Sequence, residues 1–386
     1  MAGVDLRLTR VELPPAAERL RGEVRDFIAE ERITGRLEPP REIGLGFDRE
    51  MSRRIGARGW IGLTWPKTYG GHERSALERY VVTEELLAAA VPVGAHWFAD
   101  RQSGPVLLRF GTEDQRRKYL PNIVRGDCVF CIGMSEPNSG SDLASLQSRA
   151  EKIHGGWRIN GHKLWTTNAH RADYMVTLLR TSRDEASRHA GLTQFIIDLR
   201  RPGVTVKPVI SMAGAHDFNE VFFEDVEVGE DAVIGQVGAG WRQVSAELAY
   251  ERSGPERWLS AFRLLAPALE ALGADASSAS RERLGRLLAH LLTLREMSAS
   301  IAGMLQAGAD PGVQAAIVKD LGTRFEQDLV RVVRDVLLDE ELIDGGLRPA
   351  LAGMLTSAQL WSPAFTIRGG TSEILRGVIA RGLGLR

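Results

Sequence analysis

Apolar side chains recur at helical spacing through the first third of the chain. Between positions 17 and 31 they fall at Leu20, Val24, Phe27 and Ile28, behind a Pro14-Pro15 pair, which predicts an amphipathic helix. Val81, Val82, Leu86 and Leu87 predict a second helix over about 76–90. A third is predicted over 113–124, with Thr112 as its N-cap and Glu113 and Asp114 in the first turn. From about 128 the pattern changes. Short apolar runs at 195–199, 204–206 and 221–223 are separated by Pro202-Gly203, Pro208 and Gly214, and predict strands. Asn160-Gly161 lies between two further apolar runs, which predicts a hairpin turn there. Residues 182–190 are polar and predict a surface loop. Helical spacing returns from about 238. Helices are predicted over roughly 239–272, 278–308, 311–340, 348–361 and 371–381, with Gly273, Gly308 and Gly345-Gly346 at their stops.

The order of helices, a small antiparallel β region and helices again makes this an α+β chain, mainly α. Its 386 residues divide into predicted domains over 1–127, 128–237 and 238–386. Charge adds exclusions. The 49 basic and 50 acidic side chains nearly cancel, so there is no footprint for nucleic acid and no basic face for anionic lipid. No run reaches the ~18–20 apolar residues of a membrane span, and the first 36 residues carry no signal-peptide pattern. Cys128 and Cys131 are the two cysteines. They have no second pair with which to hold zinc and are read as core residues, and a reducing, cytoplasmic setting is expected. No metal cluster is expected.

Three segments can carry chemistry. In 131–143, an apolar strand runs into Met134-Ser135-Glu136-Pro137 and a Gly/Ser turn ending at Ser141 and Asp142. Small residues there let the backbone approach a flat ligand, though on composition alone a plain linking loop explains them. In 163–168, Trp165 beside Thr166 and Thr167 can pack on a planar ring and bond its rim, or simply be a core tryptophan. In 367–376, Gly369-Gly370 precede Thr371-Ser372-Glu373, a capped helix start whose free N–H groups suit a pyrophosphate. His96-Trp97 and Asp100-Arg101 fit either an acyl-cavity lining or packing, with packing slightly ahead, and His216 is read as a loop residue.

Taken together and in this order, the three segments resemble the acyl-CoA dehydrogenase family. Gly59-Trp60, the run from Trp65-Pro66 to Gly70-Gly71, Phe110-Gly111-Thr112-Glu113 and Leu120-Pro121 add to the likeness. The resemblance implies a helical domain, an antiparallel β-barrel and a C-terminal four-helix bundle. It implies FAD as cofactor, with Met134, Ser135 and Ser141 along the flavin and its pyrophosphate, Trp165 and Thr167 flanking the ring, and Thr371 and Glu373 at the adenosine half. Arg281 matches an arginine that reaches a neighbouring subunit's flavin, or is an exposed helix arginine. The family's Gln-x-x-Gly-Gly segment is not clear; Asp344-Gly345-Gly346 is a poor substitute.

Many members place their catalytic glutamate just before the Gly-Thr of the C-terminal motif, where this chain has Gly369, preceded by Arg368. A second arrangement, seen in isovaleryl- and long-chain-type members, puts it on the first long C-terminal helix. Glu251, followed by Arg252, matches that position, and Pro255 should kink the helix there. The resemblance then implies α,β-dehydrogenation of an acyl-CoA with Glu251 as base. Arg252, Ser141 and Gly369 lie toward the substrate, and Gly369 offers a backbone N–H to its carbonyl. An electron-transfer flavoprotein takes the electrons, the setting is lipid metabolism and fatty acid β-oxidation, and the chain is a homodimer or homotetramer. Two alternatives stand: a half-site or non-catalytic subunit paired with an unlike chain, and a flavin oxidase or monooxygenase on the same fold. The acyl group, and CoA against an acyl carrier protein, are left open.

Overall fold

The computed structural model describes residues 6–38, 43–183, 187–251, 254–342 and 349–385, with the side chains of 246–251 outside the description. The chain forms two compact units. One holds residues 1–46, 74–93 and 252–386, the other 47–73 and 94–251.

In the first unit, α1 (Pro15–Ile33), α3 (Ala76–Ala88) and α9 (Ser278–Gln306) share a core of Ala17, Leu77, Tyr80, Val81, Ala299 and Ala302. Ser75 opens α3 with a capping box closed by Glu78. Glu84, buried on α3, accepts hydrogen bonds from Arg295 of α9 at 2.7 and 3.1 Å, Arg21 of α1 at 3.2 Å and Tyr80 at 3.0 Å. One carboxylate therefore joins three helices. α8 (Leu265–Leu272), α10 (Gly312–Asp339), α11 (Pro349–Phe365) and α12 (Ser372–Gly382) complete the unit. α10 packs against α8, α9, α11 and α12, and buries Val318, Phe325, Leu329, Val333 and Val336 among them. It is the hub of the C-terminal bundle.

The second unit opens with α2 (Arg49–Ala57), capped by Asp48, then α4 (Gly94–Phe98), a π-turn (Ala99–Ser103), α5 (Gly104–Phe110) and α6 (Glu113–Val124). Thr112 caps α6 as its sequence predicts, in a capping box with Gln115. The π-turn has a local cause. Pro105 lacks the N–H that would continue the α ladder, and the Gly104 N–H reaches back to Ala99 instead. Gly104 also has no room for a side chain, since a Cβ would sit 2.1 Å from the buried Trp65 ring.

Seven strands follow: β1 (Phe130–Gly133), β2 (Arg149–Ile153), β3 (Gly156–Lys163), β4 (Tyr174–Arg180), β5 (Leu192–Asp198), β6 (Val204–Val209) and β7 (Phe218–Gly229). The sheet runs β1-β4-β2-β3-β7-β6, with β5 also on β4. Its hairpins are antiparallel, but β1 runs parallel to β4. Trp157, Ile159, Phe195, Ile197, Val221 and Phe223 fill its core. Tyr119 of α6 meets Phe130 and Tyr174 edge-on at 5.7 and 5.1 Å.

The predicted turn at Asn160-Gly161 is corrected. β3 runs straight through these residues, and the β2–β3 turn is His154-Gly155, with Gly155 at φ 75°. Asn160 instead makes a bulge against β7. Its amide donates to Asp225 at 2.9 Å and accepts the Asp225 N–H at 3.0 Å, while a Cβ on Gly161 would meet Ser148 Oγ at 2.2 Å. A long-range partner, absent from any local window, decides the place. The predicted helix over 239–272 is also broken. α7 is described over Gly240–Glu251, 3-10 turns follow at Pro255–Arg257 and Phe262–Leu264, and α8 begins only at Leu265. Gly254 is extended, with ψ 168°, and Pro255 offers no N–H to an α ladder.

His96 lies between α4 and α2, fully enclosed, with Nδ1 2.9 Å from Ser52 Oγ. That places it in packing. Trp97 carries the Arg101 guanidinium 4.7 Å above its ring. Burial pulls the His96 pKa down to about 4. Above pH 6.5 it is neutral in folded and unfolded chains alike. As pH falls from 6.5 to 4, only the unfolded chain takes the proton, so stability drops by about 3 kcal/mol across that window and no further below it. Urea unfolding at pH 7, 5 and 4 should show this loss in the wild type and a flatter profile in His96→Gln; parallel profiles would disprove it.

Candidate functional site

Two of the predicted segments meet in the sheet unit. β1 ends at Gly133 and delivers Met134 and Ser135 to the end of β3, where the Leu164 N–H donates to the Ser135 carbonyl at 2.9 Å. Lys163, fully buried, donates to the Met134 carbonyl at 3.2 Å, the Leu178 carbonyl at 2.8 Å and Glu136 Oε1 at 2.8 Å. The Glu136 carboxylate also accepts the N–H groups of Gln147 at 2.7 Å and Ser148 at 3.0 Å. Burial opposes both charges. It draws the Lys163 pKa down to about 8 even though Glu136 lifts it. For Glu136, Lys163 and the two amides outweigh burial, and the carboxyl sits below its usual range. Beyond Glu136 the chain makes a tight turn in which the Glu136 N–H donates to the Ser139 carbonyl, and Ser141 emerges exposed.

Just past β3, Trp165 has φ 60°, and its side chain is 55% exposed with an edge on Phe218. Left-handed backbone is unusual for a bulky residue and marks a constrained site. Asn168 is left-handed as well. Asn219 brackets the loop: its side-chain amide donates to the Thr166 carbonyl at 2.9 Å, and its own carbonyl accepts the Thr166 N–H at 3.0 Å. The Thr166 hydroxyl is buried without a partner, and Thr167 is half-buried. His170 and His216 stack 3.8 Å apart, and each has a ring nitrogen on Asn219 Oδ1. His216 is thus more than the loop residue its sequence suggests. An outward-facing tryptophan, an orphan hydroxyl, and the hydroxyls of Ser135 and Thr167 fit a planar heteroaromatic ligand with polar edges.

The third segment belongs to the helical unit. Gly369 and Gly370 have φ 64° and 92°, which explains two glycines before the last helix. Thr371 Oγ1 caps α12 on the Ile374 N–H at 3.4 Å. The buried Lys319 donates to the Gly370 carbonyl. The Ser372 hydroxyl is buried without a partner. Glu373 is exposed, its carboxyl held low by its own backbone N–H and by Thr371. Arg368 is anchored: it donates to Glu326, fully buried on α10, at 2.7 Å and to Ser260 Oγ at 2.7 Å. Arg281 is exposed on α9; the Glu340 carboxyl is held low chiefly by hydrogen bonds from Ser277 and Ser280, with a smaller contribution from the Arg281 charge.

Glu251 lies on α7, and its side chain lies outside the description; Arg252 and Asp344-Gly345-Gly346 lie outside the described residues altogether. Cys128 and Cys131 are free and buried, and burial pushes both thiols up, Cys128 to about 12, which makes them inert core residues. Among the described residues no group of three or more metal-binding side chains occurs, and no helix is long and apolar enough to cross a membrane. Lys163, Glu136, Asn219 and Glu326 went unassigned in the sequence. For Lys163 a signal was present: a charged residue ends a strand whose inward positions are otherwise apolar.

Profiles of the N-terminal, middle and C-terminal acyl-CoA dehydrogenase domains match residues 14–127, 131–226 and 238–384. The acyl-CoA dehydrogenase FadE34 of Mycobacterium tuberculosis is 33% identical over 99% of this chain, which spans about half of that relative's length. IpdE1 of the same organism is 34% identical over 87% of this chain and 88% of its own. Among solved structures, the Tcur3481-Tcur3483 steroid ACAD superposes with a TM-score of 0.85 at 30% identity, covering 99% of this chain and 100% of that one. The ChsE4-ChsE5 complex from Mycobacterium tuberculosis gives a TM-score of 0.81 at 28% identity, over 98% and 100%.

Proposed function

The chain belongs to the acyl-CoA dehydrogenase family, and on that premise we propose that it removes hydrogens from the α and β carbons of an acyl-CoA, leaving the trans-2-enoyl thioester. It is a flavoprotein oxidoreductase of lipid metabolism, in a family whose members depend on FAD. The observation that carries the reading is the hydrogen-bonded junction of residues 134–136 with 163–165, which sets Trp165 outward on left-handed backbone. When bound, FAD supplies a two-electron hydride acceptor. Met134, Ser135, Ser141, Trp165, Thr167, Thr371 and Glu373 are assigned to hold it, with Arg281 reaching a neighbouring subunit's flavin. Glu251 takes the α-proton as general base. Arg252, Ser141 and the Gly369 N–H are assigned to the thioester; a donor at its carbonyl stabilises the enolate-like charge that develops as the proton leaves.

Likeness to a steroid ACAD over 99% of the chain supports a bulky, steroid-derived acyl group as substrate. An electron-transfer flavoprotein as acceptor, a homodimeric or homotetrameric assembly and a cytoplasmic setting are parts of the same proposal. A second reading has its own support. Many relatives carry the base at the position of Gly369, and Arg368 beside it is committed to Glu326 and Ser260. Two similar structures are named for pairs of chains. A half-site subunit requiring an unlike partner is that reading. Anaerobic titration of the purified chain's visible flavin band with short, branched and steroid-derived acyl-CoA thioesters separates the two. Bleaching identifies a catalytic subunit and its substrate class. A colourless protein, or a yellow one that nothing bleaches, points to the half-site.

A further inference from the structure

The fully buried Lys163 ammonium has three donors, and each has an acceptor: the Met134 carbonyl, the Leu178 carbonyl and Glu136. The Glu136 carboxylate is matched in turn by Lys163 and the Gln147 and Ser148 N–H groups. Beside them, Ser148 Oγ accepts the His162 N–H at 3.1 Å. Nothing in the pair is left unsatisfied toward its own neighbours, and four separate stretches of chain converge on it. A buried ion pair is an inefficient source of stability, because apolar residues of similar volume often serve as well or better. What such a pair adds is direction. Shifting residues 134–136 against β3 by even one position would strand both charges in the core.

We propose that Lys163, with Glu136, is a positioning residue that locks residues 134–136 and 165–167 into one rigid cradle for FAD. The proposal rests on the assignment of those two segments to the flavin. Lys163 touches neither substrate nor cofactor in this reading; it acts through the Met134 carbonyl and through the strand end that leads into Trp165.

The test compares the full-length wild type with Lys163→Met and with the charge-free pair Lys163→Met/Glu136→Leu. Lys163→Met strands a buried carboxylate and should be unstable to urea. The double variant should recover most of that stability, yet bind FAD at least tenfold more weakly by flavin-fluorescence titration. The visible circular dichroism of its bound flavin should differ from wild type. Without FAD, amide exchange over 135–148 and at Leu164 should be faster in the double variant. A double variant with wild-type FAD affinity and wild-type exchange would overturn the proposal. So would one that stays as unstable as Lys163→Met, since the pair would then be serving stability alone. A wild type that binds no FAD would defeat the flavin assignment instead, and the exchange measurement would still decide whether the lock exists.

Discussion

Glu251→Gln is expected to give a yellow, folded protein whose flavin band is reduced by substrate at least 10²–10⁴-fold more slowly, the range a positioned general base contributes. The chemistry sets the size of the effect. An α-proton beside a thioester carbonyl is weakly acidic, and loss of a hydride from the β carbon is favoured by the charge that develops at Cα as that proton is taken. Glutamine keeps the volume and polarity of the side chain but cannot accept the proton. Binding should survive: the titration endpoint for a non-reactive analogue should shift little, while single-turnover reduction followed by stopped flow collapses. Undiminished reduction would place the base elsewhere, and reduction that appears only when an unlike chain is added would favour the half-site reading.

Glu84→Ala should cost the helical unit about 3–5 kcal/mol. Arg21, Arg295 and Tyr80 all converge on this buried carboxylate, and removing it strands the Arg295 guanidinium, whereas Arg21 keeps Glu85 at 3.3 Å and Glu18 at 3.7 Å. Arg295 keeps a third of its side chain in solvent, so the lower end, about 3 kcal/mol, is the better expectation. Urea unfolding measures the loss, and an Arg295→Met background should reduce it because the stranded cation is gone. A cost under about 1 kcal/mol would show that water reaches the site and replaces the carboxylate.

Of the helices before residue 127, α1, α3 and α6 were legible because their signals are local: Thr112 and Gln115 make their cap within four residues; α2, α4 and α5 are short and were not read from the pattern. The order of helical and strand regions was legible for the same reason, since periodicity is read over short windows. What escaped depends on partners distant in sequence. Asn160-Gly161 has the form of a turn, and only Asp225, across the sheet, makes it a bulge. Lys163 and Glu136 stood inside the motifs that suggested a flavin, but nothing along the chain says that they face each other in the core. Periodicity carried the predicted helix past Pro255, although the N–H missing at that proline was visible in the sequence. The site residues split the same way. The family resemblance singled out Trp165 and the Gly-Gly turn, while the orphan hydroxyls of Thr166 and Ser372 emerge only from packing.

The anchoring of Arg368 also bears on how such a chain can change by mutation. A base at the C-terminal motif of this chain would have to stand at 368 or 369, and both positions resist it. A glutamate at 368 would replace the cation that neutralises the fully buried Glu326 and set two carboxylates side by side. A glutamate at 369 must adopt φ near 64°, at a cost of roughly 1–2 kcal/mol for a residue with a Cβ. A move of the proposed base from Glu251 to this motif would therefore be eased by a paired substitution at 326 and 368, or by a remodelled turn.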